Sequence, residues 1–523
     1  MAEYTTGQIE KEKTDKSDIA LLNQKIDDQI GHLGWYQLFI IFIVILMQLY
    51  RGGQGSLPVF VAAEPIGFDC EECFHTKKNT SIGDTSINDS CVVENPTIIS
   101  DFNLYDCGKN NLHYLKDWAS SIYFIGYAFG CWLIGTLSSL KGRRFGSNFS
   151  NILMCVSGFS TAYSPNIYFY LSARFLSGVA CAGFQVASFT YILELSGQKY
   201  RSFVNFIYGS MFGIGMFWLS YPAAYFFKNW RDLCCFLSVV ILLPTLLGFI
   251  FQVESWRWLL AVGRVDEAVQ IATNIGKKQS GESFDENEIK EMIQKLHENT
   301  SVTSNVSQKS TLQRYKKLFK NKKINKITFI LWLSWICNAM VYYGISLNTG
   351  RLPGSVLFNN AVYALMDIPA LLAMRYLSDH PKVGRRLFQI SFLVLAGVCC
   401  LVSTFILEQQ SNNQSQVLEI SGKTISYLGK FFIAGSFQSI IQLSSEIYST
   451  DIRTDGFGLC SLMARAGGIV CPFIVALKKF KSWLPGSIFG VCGVLVGSLC
   501  FYLPETRGRE IMLSMEEMLE RYA

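Results

Sequence analysis

Residues 118–144 read WASSIYFIGYAFGCWLIGTLSSLKGRR. From Trp118 to Leu140 nothing is charged, and about 20 such residues are what a helix needs to cross the hydrocarbon of a bilayer. Lys141, Arg143 and Arg144 then close the block, as basic residues do where a span meets a membrane surface. The ending recurs: Gly142-Arg143-Arg144 is answered by Gly384-Arg385-Arg386 after a later apolar block. Further landmarks repeat in the same order, about 250 residues apart. Glu194 with Arg201 is answered by Glu446 with Arg453, Glu254 with Arg257 by Glu505 with Arg507, and Tyr170-Leu171 with Gly178 by Tyr427-Leu428 with Gly435. Ordered landmarks at nearly one offset indicate two halves repeated in parallel, the plan of carriers whose binding site lies between the halves near the bilayer midplane.

Outward from that stretch, twelve apolar blocks can be counted, each of which must cross as a complete helix because lipid cannot hydrogen-bond exposed backbone. They run over 35–59, 118–140, 145–163, 167–193, 203–226 and 231–253, then 327–347, 355–377, 387–407, 425–445, 456–477 and 483–503. The fold class expected is an all-α membrane protein with twelve transmembrane helices in two six-helix parallel-repeat halves. Its parts are an N-terminal segment 1–34, a first half 35–253 with a long loop at 60–117, a linker 254–326 carrying amphipathic helices, a second half 327–503 and a C-terminal segment 504–523. Composition points the same way, with 50% hydrophobic and 16% charged residues where soluble domains carry about 25% charged. The net charge of +6 is small, and Lys and Arg sit in short groups between apolar blocks, unlike the basic stripes of nucleic-acid binders. No nucleic-acid partner is expected. An enzyme lacks material: the five His fall outside the apolar blocks, and no HExxH, GxSxG or P-loop stands at a strand-to-helix turn. Catalytic residues, metal and cofactor are therefore expected to be absent.

The first 34 residues lack the short apolar core and small-residue cleavage site of a signal peptide, so the first block reads as a retained helix. Lys141, Arg143, Arg144, Lys199, Arg201, Lys382, Arg385 and Arg386 fall on the side of the termini, which predicts cytoplasmic termini, although Lys478, Lys479 and Lys481 lie opposite. The 60–117 loop argues independently. It holds Cys70, Cys73, Cys91 and Cys107, and disulfides persist only in oxidising compartments. It also holds glycosylation sequons at Asn79 and Asn88. The loop is thus expected outside a plasma membrane, glycosylated and closed by two disulfides whose pairing is not readable. Zinc is disfavoured, since the Cys70–Cys73 pair has no second close pair to complete a site.

An ionisable residue at mid-span costs at least about 2.5–3.5 kcal/mol and asks for a reason. Arg51, Arg174, Asp367, Arg375 and Arg465 are the candidates. Arg174 and Arg375 lie nearer block ends, which suggests ion pairing or snorkelling. Arg51, at a Gly52-Gly53 break, belongs either to the pore or to its outer mouth. Asp367 precedes Pro369, and Arg465 stands among Ala464, Ala466 and Gly467. These two form a mutual salt bridge, or Arg465 offers its donor fork to a carboxylate or sulfate. Tyr342 and Tyr343 bring π faces, which favour cations. An aromatic-lined cavity with one or two charges suits amphiphilic organic ions better than sugars.

Gly135-Thr-Leu-Ser-Ser-Leu-Lys-Gly-Arg-Arg144 resembles the loop signature of the major facilitator superfamily, G-x-L-a-D-r-x-G-R-R. The resemblance implies a gating and charge-network role for Gly135, Gly142, Arg143, Arg144, Glu194, Arg201, Glu254 and Arg257. In the second half it implies the same for Asp379, Arg385, Arg386, Glu446, Arg453, Glu505 and Arg507. Tyr342-Tyr-Gly-Ile-Ser-Leu-Asn-Thr-Gly350, Glu446-Ile-Tyr-Ser-Thr450, Ala464-Arg-Ala-Gly-Gly468, Glu254-Ser-Trp-Arg-Trp-Leu259 and Leu503-Pro-Glu-Thr-Arg-Gly508 are similar to solute carrier family 22, the organic cation, anion and zwitterion transporters. The likeness runs from the first span to about Gly508. It implies a carrier that moves small organic ions by alternating access, with the lipid bilayer as its other partner, and it leaves a homo-oligomer open. The substrate-binding residues it implies are Arg465, Asp367, Tyr342, Tyr343, Phe437 and Gln438, with Phe212 facing them. An acid stands at the position of Arg465 in typical cation transporters and Arg in anion and zwitterion transporters, so the lean is to anions or zwitterions. The alternatives are an organic cation transporter or a transport-inactive receptor or scaffold. Ser139 replaces the signature's Asp, Val253 the usual Pro, and Leu371 a cation that some anion transporters carry.

Overall fold

The computed structural model describes residues 21–62, 96–104, 114–227, 229–280, 285–304, 322–413, 415–449, 453–508, 512, 518 and 521. Cys70, Cys73, Cys91, Cys107, Asn79 and Asn88 lie outside the described residues, as does the side chain of Arg453. Helix α1 covers 21–30. The first half is built from α2 (Trp35–Val61), the single turn α3 (Ile98–Asp101), α4 (Leu115–Lys141), α5 (Arg143–Ala162), α6 (Ile167–Leu195), α7 (Arg201–Tyr225) and a sixth crossing in two pieces, α8 (Trp230–Val240) and α9 (Leu242–Phe251). Then come α10 (Trp256–Ala261), α11 (Val265–Ser280) and α12 (Glu286–Ser304). The second half is α13 (Lys322–Leu347), α14 (Val356–Leu377), α15 (Gly384–Asn413), α16 (Gln416–Ile447), α17 (Arg453–Ala476) and α18 (Leu484–Leu499). Starts are set by local chemistry: the side chains of Asn166, Asn229, Ser255 and Ser355 accept the free backbone N–H groups of α6, α8, α10 and α14.

Among the described residues, nine helical segments are long and apolar enough to cross a membrane on composition alone. Crossings three, five and ten, α5, α7 and α16, are not among them. In α5 the reason is visible: Ser147, Asn148, Ser150 and Asn151 are polar but turned inward, 6% exposed or less. Helix–helix packing in lipid favours such small and polar residues at the contact.

Each half has its own apolar core, one built from residues up to Leu296, the other from Ile324 onward with Met216 added. The halves meet along two seams. On one, α4 packs against α17: the Trp118 and Phe473 rings are 5.3 Å apart, Ser121 Oγ donates to the Ile469 carbonyl at 3.0 Å, and Phe124 fills the space over Gly468. These contacts lie in the stretch of both helices remote from α1, here termed the far face, as opposed to the terminal face. On the other seam, α7 presents Gly209 and Gly213 to α14, where a Cβ on Gly213 would stand 3.1 Å from Asp367 Cβ.

Two expectations need correction. Gly52 and Gly53 do not break α2, which is continuous; Gly52 instead lets α2 and α7 touch backbone to backbone, with Gly215 returning the same close approach from α7. Arg174 does not snorkel, and it forms no ion pair among the described residues. It is 0% exposed, donates from Nη1 to Gln54 Oε1 at 2.8 Å and lies over the Tyr123 ring.

At the terminal face, α1 and α10–α12 are fastened to the first half. Arg257 pairs with Asp27 at 2.5 Å and donates to Asn23 at 3.0 Å and to the Glu194 carbonyl at 3.0 Å. Trp35 Nε1 donates to the Lys278 carbonyl at 3.0 Å, and Ile26 and Ile30 are buried in the first half's core with Ala268, Ile275, Ile289 and Ile293.

Candidate functional site

Mid-span, side chains from both halves form one connected cluster. From the second half, Asp367 accepts a 2.5 Å hydrogen bond from Tyr342 on α13 and lies 4.0 Å from Lys430 Nζ on α16. Lys430 is 0% exposed, donates to Ser346 Oγ at 2.9 Å and sits over the Tyr342 ring. Tyr342 touches Tyr343 edge-on, with Phe437 5.8 Å away, and Tyr343 meets Phe124 of the first half edge-on at 4.6 Å. Gln438 is half-buried beside Phe437.

The second charged group belongs to the first half and α17. Arg51 donates from Nε to Gln48 at 2.8 Å and from Nη1 to the Tyr127 hydroxyl at 2.9 Å and Gln185 Oε1 at 3.2 Å. Its guanidinium lies 4.4 Å over the ring of Phe212. Arg465, 9% exposed, lies 4.1 Å over the Tyr127 ring, and its Nε has no hydrogen-bond partner among the described residues. Tyr127 thus has one guanidinium on its hydroxyl and another on its face, from opposite halves.

The structure brings Asp367, Tyr342, Tyr343 and Phe437 together, and Arg465 and Phe212 to the same level, but the mutual Asp367–Arg465 salt bridge is not formed. Asp367 is already engaged by Lys430 and Tyr342. Arg51 is one of the mid-span candidates that the charge rule singles out, whereas Lys430 is not among them. Lys430 lies five residues from the start of the 425–445 block, where it reads as an end residue; α16 in fact begins at Gln416, which places it about four turns inside. Nothing in the spacing marks Tyr127 or Gln185.

At the terminal face each half carries its own network. In the first, Glu254 accepts the backbone N–H groups of Arg143 at 2.8 Å and Arg144 at 3.1 Å, capping α5. Gly142 is required there, with φ at +112° and no room for a Cβ beside the Glu254 carboxylate. Glu194 pairs with Arg143 at 3.2 Å, whereas Arg201 donates to the Leu193 carbonyl. In the second half Glu505 accepts Arg385, Arg386 and Arg507 N–H at 3.0 Å each, Gly384 has φ at +70°, and Arg385 pairs with both Glu446 and Asp379. Arg507 Nε donates to the Asp379 carbonyl at 2.9 Å. Arg257 joins the first network through the Glu194 carbonyl, while Gly135 makes no close approach, its nearest neighbour, Val186, standing at ordinary contact distance. The two caps differ electrostatically. Burial raises the Glu254 carboxyl above its ordinary range against the pull of its N–H partners, whereas at Glu505 burial is outweighed by the N–H groups of Arg507, Arg386, Arg385 and Thr506 and the carboxyl is held low.

Residues 82–518 match the family model described as Sugar (and other) transporter. The chain is 29% identical to "Solute carrier family 22 member 15-like" of Xenopus laevis over 94% of both chains. It is 30% identical to "Solute carrier family 22 member 6-A" of the same organism, covering 82% of this chain and 73% of that one. With "Organic anion transporter 3" of Mus musculus the identity is 29%, over 82% of this chain and 75% of that one. Among solved structures, the inward-open conformation of the xylose transporter XylE from E. coli superposes with a TM-score of 0.63 at 16% identity, covering 93% of this chain and 100% of that one. That likeness concerns the fold.

Proposed function

Since this chain belongs to solute carrier family 22 of the major facilitator superfamily, we propose that it carries small organic anions or zwitterions across the plasma membrane by alternating access. The observation that carries the charge preference is the imbalance at mid-span. Asp367 is matched by Lys430, while Arg51 and Arg465 have aromatic rings and neutral acceptors around them but no carboxylate in an ion pair among the described residues. A guanidinium held out of water without a counter-charge is costly, and a substrate carboxylate or sulfate would supply that charge through a two-pronged hydrogen bond. Tyr342, Tyr343 and Phe437 supply the apolar wall for the organic body. Placing the terminal face in the cytoplasm, as the basic residues favour, makes the far-face seam of α4 and α17 an outer gate that is shut. The terminal networks then act as the gating charges of each half.

Uptake of labelled organic anions, cations and zwitterions tests this. Arg465→Asp is expected to lower anion uptake at least tenfold, with Arg465→Lys much milder. Equal small effects, or competable uptake confined to cations, would overturn the anion reading. A cation reading has one observation in its favour, a carboxylate bonded by Tyr342, whose ring Tyr343 adjoins, and predicts instead that Asp367→Asn is the more damaging change.

A further inference from the structure

Inside the second half, α13, α14, α15, α16 and α18 close round a cavity of about 40 Å³, room for about three water molecules. Its wall is mixed. Asn348 and Leu352 on the turn between α13 and α14, Cys400 and Thr404 on α15, and Ser426 on α16, whose Oγ pairs with the Tyr363 hydroxyl of α14 at 2.5 Å, lie around it. Since α13 starts at the linker, the turn at its other end lies at the far face. Ser426 stands one turn before Lys430 on α16, about 5–6 Å away between Cβ atoms, and Lys430 Nζ donates to Ser346 Oγ, the neighbour in the chain of the cavity residue Ile345. Beyond Lys430 lies Asp367, whose buried Oδ1 is 4.0 Å from Nζ and has no hydrogen-bond partner among the described residues. A lysine kept only as a counter-charge gains nothing from a water-sized cavity one turn away. Lysine gives up its proton in a dry site, as arginine does not, and a carboxylate oxygen without a partner is there to receive it.

We infer that Asp367 and Lys430 form a proton-exchange site served from the far face through this cavity, so that the carrier moves one proton together with its organic anion. This rests on the anion reading above and adds a second cargo, reached by a route separate from the α4–α17 seam. The transfer balances: an N–H bond of Lys430 breaks as an O–H bond forms at Asp367 Oδ1, and the amine's electron pair takes a replacement proton from cavity water, directly or through the Ser346 hydroxyl. The pair thereby gains one proton and one positive charge, and the reverse steps release them on the other face. Around the pair, α13 contributes Tyr342, whose hydroxyl is already committed to Asp367, and Tyr343. Arg51 on α2 lies within electrostatic reach of Tyr342, and Arg465 on α17 within reach of Tyr343. From α7, Gly213 faces Asp367 and carries no charge, while the cavity wall adds Tyr363 and Cys400, and α18 adds no titratable group to it. The guanidiniums keep their protons throughout, which leaves the pair as the exchanging group.

The test uses the full-length chain in proteoliposomes with the membrane potential clamped, a pH-sensitive dye inside and labelled 4-nitrophenyl sulfate outside, the anion of an acid too strong to carry a proton through lipid itself. With the outside one pH unit more acidic, the unaltered chain is expected to accumulate the sulfate towards about tenfold and to acidify the lumen as it enters. Exchange of labelled for unlabelled sulfate at equal pH moves no net proton, so it measures folded, working protein. Asn348→Leu with Thr404→Val, which makes the cavity wall apolar, is expected to slow the gradient-driven accumulation at least fivefold while that exchange changes less than twofold. Lys430→Arg, which keeps the charge but holds its proton, is expected to lose accumulation and the dye signal together. Exchange without accumulation or acidification in the unaltered chain, or accumulation that survives either variant at the ordinary rate, overturns the inference and leaves the anion reading standing. Absence of competable exchange of the sulfate and of every anion in the uptake panel overturns that reading instead.

Discussion

Lys430 shows how one side chain governs others. With Nζ buried against Tyr342 and Asp367, it supplies the counter-charge that allows a carboxylate to sit at mid-span. Removing one partner of such a pair leaves an uncompensated buried charge, which costs about 3–5 kcal/mol, whereas removing both can be nearly neutral. Lys430→Gln is therefore expected to lower the amount of folded protein and its thermal stability, and Lys430→Gln with Asp367→Asn to recover most of the loss in a melting assay. If the double variant melts no higher than the single, the pair is not the source. A second residue-scale expectation concerns acid. Glu254, held high, binds its proton more tightly folded than unfolded, so its contribution to stability is largest below the ordinary carboxyl range and fades as pH rises through its raised value. Glu505, held low, contributes above the ordinary range and loses that contribution only as pH falls towards its depressed value. On acidification the first half's cap is thus protonated before the second's. Emission from Trp258, whose Nε1 donates to the Ser139 carbonyl beside that cap, is expected to change on acidification before pH reaches the ordinary carboxyl range, and Glu254→Gln to flatten the change.

At the scale of elements, the glycines of α7 face two ways. Gly215 fits α7 to α2 within the first half, and Gly209 and Gly213 let it lie on α14 of the second. A side chain at Gly213 would push against Asp367 Cβ and the Ala364 carbonyl, and overpacking of that kind costs about 1–3 kcal/mol. Gly213→Val is expected to cut transport about tenfold at unchanged surface abundance, since the strain falls on a seam that must move. Normal transport by that variant would mean the seam stays open in the rate-limiting state. The elements also show what the sequence could and could not yield. Spans such as 118–140 announced themselves by uninterrupted apolarity, and the repeated Gly-Arg-Arg and Glu–Arg landmarks gave the twofold plan. The polar face of α5 is visible as residues but its inward direction is not, because only neighbouring helices decide it. The partners of Arg465 were equally hidden: a ring 338 positions earlier in the chain leaves no trace in local spacing.

For the whole molecule, closure of the far face includes, among the described residues, Trp118 against Phe473, Ser121 against Ile469, and Phe124 wedged over Gly468 and against Tyr343. The alternate state must separate all of them. Trp118→Cys with Phe473→Cys, oxidised to a disulfide, is expected to arrest transport reversibly, with activity returning on reduction; a cross-linked protein that still transports would place the moving gate elsewhere. Among the described residues, the 96–104 segment at the far face is fastened to the first half through Asp101, which receives Trp230 at 3.0 Å and Arg231 at 3.1 Å. The terminal cap of α1 and α10–α12 is fastened to that same half through Arg257, Trp35 and the buried isoleucines. The first half therefore carries both appendages as ballast. A binder or fluorophore placed on either becomes a handle on one rigid lobe, and a second dye on the 380–383 turn of the other lobe would turn each turnover into a distance that can be read on a single molecule.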